Sequence, residues 1–146
     1  MRGRSRRTLS AEEVTLTCEV LLAAALHRRC AYWLLDGRVS RQEQPVELHE
    51  WLHEEYFPRV RTELGQPPCI ALLVAPVFYK QLLAMAHNAP VEWPTWGARV
   101  NCFKEEDAAL AWLRQQGAQE RERTRLLAAS TGTKGAWSGK QLSFHF

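Results

Sequence analysis

A chain of 146 residues, 46% hydrophobic and 24% charged, can bury one ordinary core and is too short to hold a second catalytic domain. Its net charge of +3 is unevenly placed: residues 1–7 carry +4, residues 8–117 carry −4 and residues 118–146 carry +3. The body is therefore mildly acidic and the basic charge sits in terminal arms, which meet phosphates only through loose, salt-sensitive attraction, so nucleic-acid binding is not expected. No apolar run approaches the roughly 20 residues of a membrane span.

In chain order, MRGRSRR is followed by Glu12, Glu13 and Glu19 rather than by an uninterrupted apolar region. It lacks the form of a secretory signal, and a cytoplasmic chain is expected. Residues 1–9 read as a basic arm or an edge strand. Ser10-Ala11-Glu12-Glu13 is a capping box, in which the serine serves the amide of Glu13 and the glutamate reaches back. It opens a helix to about Arg29 with Val14, Cys18, Leu21 and Ala25 on one face. Cys30 to Leu35 (CAYWLL) is β-prone without polar alternation, the mark of a buried strand, and Asp36-Gly37 closes it with a turn.

A second helix should run from about Pro45 to the region of Pro58, which kinks or ends it. Cys69 to Ala75 (CIALLVA) repeats the buried-strand pattern, and Pro76 begins a third helix ending near Asn88. After the turn-rich stretch NAPVEWPTWG, residues Ala98 to Phe103 read as another strand. Glu105, Glu106 and Asp107 then favour the start of a helix, Ala108 to Gln116, which Gly117 should stop. Its Trp112 is expected to pack on the sheet. The α/β domain thus covers 10–117, and 118–146 comprises a charged helix extension and a flexible tail. Helix and strand alternate as in a small, mostly parallel sheet with helices on both faces.

One motif invites metal chemistry. His49-Glu50-Trp51-Leu52-His53 spells H-E-x-x-H, in which two histidines one helical turn apart can hold zinc while the glutamate serves as base. On a helical wheel Leu48, Trp51, Leu52 and Tyr56 form the apolar stripe, with His49 and His53 on its flank and Glu50 and Glu54 on the polar side. Glu47, Glu54 and Glu55 give the motif an unusually charged setting. A third ligand would have to come from His87, Glu92 or Glu105, none at a familiar spacing. The zinc hydrolase, with Glu50 catalytic and His49 and His53 as ligands, is therefore the alternative reading, and no cofactor is expected.

Other chemistry is thinner. Gly37, Gly65 and Gly97 are isolated turn glycines, not a phosphate loop. No G-x-S-x-G occurs, and Cys18, Cys30, Cys69 and Cys102 are scattered without a C-x-x-C pair, as free thiols in a reducing compartment would be. Asp36 draws notice because ligands of open parallel sheets bind beyond the carboxyl ends of the strands. Its simpler role is to close the Asp-Gly turn. Trp93 and Trp96, in WPTW, read either as an exposed partner surface or as a lid on the core.

YWLLDGR (Tyr32 to Arg38) followed by an amphipathic helix, then IALLVAPVF (Ile70 to Phe78), then VNCFKEEDAALAWL (Val100 to Leu113), resembles the later strand-helix units of STAS-like domains. This is the group of bacterial anti-sigma-factor antagonists and related modules. The likeness spans about Ser10 to Gln116. It implies an α/β fold and a non-catalytic binding or regulatory role, exercised at strand ends and helix starts: here Asp36, Gly37, Arg38 and Ser40, with Trp93 and Trp96. The partner it implies is another protein first and a small apolar ligand second. Two departures stand out. Only Met1 to Thr8 precedes the first helix where such domains usually have two or more strands, as though the chain started late. Ser40 follows Asp36 four residues later without the family's phosphoserine motif, so a phosphoserine switch there stands against the plainer reading of a solvated loop serine.

Overall fold

The capping box at Ser10 forms as read: the Ser10 hydroxyl accepts the Glu13 amide at 3.2 Å and the Glu13 carboxylate accepts the Ser10 amide at 3.2 Å. This detail comes from a computed structural model, which describes residues 1–40, 44–85 and 98–131. The elements are β1 (Arg2–Arg4), α1 (Ala11–Arg28), β2 (Tyr32–Asp36), α2 (Val46–Trp51), a π-helical turn (Leu52–Tyr56), α3 (Phe57–Leu64), β3 (Cys69–Leu73), α4 (Pro76–Met85), β4 (Arg99–Phe103) and α5 (Glu106–Thr131). The fold is α/β. Its four described strands form one parallel sheet in the order β1-β2-β3-β4.

The three apolar runs read from sequence are the adjacent strands β2, β3 and β4, in the registers Trp33↔Ile70 and Ile70↔Val100. The basic start supplies the outer strand, pairing Arg2 with Leu34 and Arg4 with Asp36. A short, arginine-bearing strand is a poor template for further pairing, which suits an edge. Gly3 allows the strand to lie close to α1: a Cβ there would come within 3.1 Å of Leu35 and 3.3 Å of Leu21.

Strand order follows chain order, so crossovers of one hand carry their helices to one face. On that face Cys18, Leu22 and Ala25 of α1 pack with Trp33, Ile70 and Val100 of the sheet and with Tyr56, Phe57 and Val60. The opposite face belongs to α5. There Leu34, Ala71 and Leu73 meet Ala109, with Leu110, Trp112 and Leu113 partly buried around them. Side chains alternate across each strand as the pleat requires, Trp33 and Leu35 toward α1, Leu34 toward α5.

One helix boundary differs from expectation, and of the two effects expected of Pro58, kinking or ending its helix, one falls away. Pro58 does not end its helix. Proline lacks an amide and its ring crowds the carbonyl four residues back. The chain absorbs this by widening to the π-helical turn at Leu52–Tyr56, and Pro58 then sits in the first turn of α3, which ends at Gly65 in the left-handed conformation (φ 77°). Gly117 does not stop the last helix, which continues to Thr131. The cost of an interior glycine, about 1 kcal/mol, is offset by the good helix formers beyond it and by the ion pairs Glu120 to Arg123 (3.4 Å) and Glu122 to Arg125 (2.7 Å). Residues 118–131 are thus helical, and the expected tail at 132–146 lies outside the described residues. Among the described residues no helix is long and apolar enough to cross a membrane.

Candidate functional site at the carboxyl end of the sheet

Asp36 is the last residue of β2 and is 6% exposed. One carboxylate oxygen accepts the Arg38 amide (3.2 Å) and the Arg38 Nε (3.0 Å). The other accepts a second Arg38 nitrogen (2.8 Å) and the Arg4 Nε (3.2 Å). The Arg38 guanidinium hydrogen-bonded to it holds the carboxyl down at about 2, against the opposing effect of burial. Asp36 therefore closes its own turn and clamps the arm before α1 to β2. Four donors fill its oxygens, and the faces it leaves toward solvent are the two half-exposed guanidinium groups.

Gly37 continues the sheet by donating its amide to the Leu73 carbonyl (2.9 Å), and the Ser40 amide donates to the Gly37 carbonyl (3.1 Å). Gly37, Arg38 and Ser40 are each half-buried. The structure thus brings Asp36, Gly37, Arg38 and Ser40 together in one turn, while Trp93 and Trp96 lie outside the described residues.

Beside this turn lies a cavity of about 410 Å³ between the sheet and the α1 face. Its walls are apolar: Trp33, Leu35, Ile70, Leu72, Val100 and Cys102 from the strands, Val14, Cys18 and Leu21 from α1, and Leu52, Tyr56 and Phe57 opposite. Phe78 of α4 borders it as well. Ser5, Gly37, Ser40 and Val74, which follow the first three strands, place its mouth at their carboxyl ends, where Gln44 and His49 add polar groups. Gln44 is fixed by donating to the Leu9 carbonyl at 3.0 Å. The Tyr56 hydroxyl, buried in the wall, donates to the Cys18 carbonyl at 2.6 Å, and burial pushes its pKa far up, so it is a neutral donor.

The sequence did not reveal this cavity, because period-free apolar runs mark a strand as buried without telling which side chains fail to fill the space above it. The one residue of the mouth that the sequence set apart is His49, on the flank of its helix beside the apolar stripe.

His49 and Glu50 are exposed on α2 and His53 is half-buried in the π-helical turn, so the H-E-x-x-H motif spans two helical geometries. Among the described residues no group of three His, Cys, Asp or Glu side chains is placed to hold a metal ion, and Glu105 joins none. His87 and Glu92 lie outside the described residues. All four cysteines are free thiols; burial raises Cys18 to about 12 and Cys102 to about 11, which makes both poor nucleophiles.

Comparison with protein-family models, with curated proteins and with solved structures finds no match to this chain.

Proposed function

We propose that the chain is a non-catalytic, STAS-like binding or regulatory module that works through the carboxyl end of its sheet. One observation carries this reading: an apolar cavity of about 410 Å³ opens beside the Asp36 to Ser40 turn, at the carboxyl ends of the strands, with a few polar groups at its mouth. Of the two occupants weighed from sequence, another protein or a small apolar molecule, the cavity favours the second. Its walls are aliphatic and aromatic, and its few polar groups, Ser5, Ser40, Gln44 and His49, suit a molecule with one polar end. Occupancy would bear on the Arg38 turn above and on Phe78 at the start of α4, which gives a partner protein a surface that reports the ligand. The four cysteines, all free thiols, suit a reducing compartment.

The experiment is calorimetric titration with decanoic acid. Saturable binding of one equivalent is expected, together with a loss of about tenfold or more in Leu72→Trp, whose indole fills the cavity, the size of shift that about 1.4 kcal/mol of lost contact produces. Leu72→Trp should unfold no earlier than the parent, since filling a void restores packing. Absence of saturable binding to the parent, or equal binding by Leu72→Trp, would remove the small-ligand reading.

A further inference from the structure

A second concavity, of about 440 Å³, lies at the other end of the sheet, where the strands begin. It is lined by Arg61 of α3, Arg99 of β4 and Arg123 of α5, with Tyr32 of β2 and Glu120 of α5 also among its walls. The three arginines come from separate elements, so their gathering is a property of the fold and not of a basic run in the sequence. Arg61 is exposed on α3 and Arg99 half-buried on β4. Arg99 donates to the neutral amide of Gln116 at 2.9 Å, a residue only 7% exposed, which holds the guanidinium in place. Arg123 pairs with Glu120 at 3.4 Å.

We propose that this concavity binds a phosphate-bearing small molecule. Positive charges collected on one concave surface raise the local concentration of anions, and the planar, multi-donor guanidinium matches phosphate oxygens in pairs. The space exceeds a bare phosphate, leaving room for an organic portion against the Tyr32 ring, Pro67 and Cys69. Burial raises the Tyr32 phenol above its ordinary value, so its hydroxyl stays protonated as a donor at neutral pH. The proposal stands apart from the apolar cavity: the two sites share no element end, and either can fail alone.

The test is calorimetric titration of the full chain with glucose 6-phosphate, inorganic phosphate and glucose, at constant ionic strength. Saturable binding is expected for the sugar phosphate, weaker binding for inorganic phosphate and none for glucose. Arg99→Gln and Arg61→Gln should each weaken binding about tenfold, as loss of a charge-assisted hydrogen bond does. Arg114→Gln, an exposed residue of α5 outside the concavity, should stay within about twofold, the change expected from altered net charge alone. Arg61 is exposed, so its variant keeps the fold and the test does not depend on Arg99 alone. Lack of saturable binding, or an equal loss in Arg114→Gln, overturns the proposal. A short DNA duplex that binds more tightly than the sugar phosphate, with the same sensitivity to Arg99→Gln, would also overturn it and make this end a nucleic-acid face.

Discussion

Replacing Asp36 with asparagine keeps the shape and removes the charge that Arg38 and Arg4 hold. The carboxyl lies about two pH units below its ordinary value, and each unit is worth 1.36 kcal/mol, which gives about 2 to 3 kcal/mol of stability at neutral pH. Solvent around the two half-exposed guanidinium groups screens part of this, leaving about 2 kcal/mol. Because the folded-state pKa is depressed, the contribution is complete above the unfolded value near 4 and disappears as pH falls through about 2. Urea unfolding of the parent and of Asp36→Asn should therefore differ by about 2 kcal/mol at pH 7 and converge toward pH 2, while other carboxylates, present in both proteins, cancel in the difference. A gap that stays constant with pH would refute the ionic account and assign the loss to packing. A gap that persists undiminished in an Arg38→Gln background would show that Arg38 is not the partner responsible.

Gly117→Ala should raise stability by about 0.5 to 1 kcal/mol, since the position is interior to α5 and a Cβ there meets Arg121 at 3.4 Å and Tyr32 at 3.9 Å, ordinary contact distances. A fall in melting temperature would show that α5 needs glycine to approach the sheet. Trp112→Ala should cost about 2 to 3 kcal/mol in denaturant titration, below the 3 to 5 of a fully buried aromatic, because Trp112 is half-buried against Phe103 with ring centroids 5.8 Å apart. A loss under about 1 kcal/mol would mean that the α5 face of the sheet is held by Ala109 and its neighbours without it.

Much of the architecture was legible in the sequence because its signals are local. Ser10 and Glu13 lie three residues apart and decide the start of α1 between them; YWLL, IALLV and VNCF are uninterrupted enough to be strands covered on both faces. Helix ends were harder to read. Gly117 carries a stop signal that the Glu-Arg pairs beyond it outweigh, and the effect of Pro58 depends on whether the preceding turn can widen. The turn at Asp36 to Ser40 was readable as a unit, but not the saturation of Asp36, since Arg4 reaches it only once β1 pairs with β2. Both concavities were invisible for the same reason: Arg61, Arg99 and Arg123, like Val14, Leu72 and Phe78, become neighbours only through the tertiary fold.

The agreement of strand order with chain order also has a temporal meaning. Among the described strands each pairs with the one made just before it, about thirty to forty residues earlier, so every pairing needs only chain that has already been made. The α1 side gains its cover as each crossover is completed. The other side, with Leu34, Ala71 and Leu73, waits for α5. In the order in which the chain is made, the face of the sheet carrying Leu34, Ala71 and Leu73 is therefore the last to receive its cover, Ala109 and its neighbours on α5.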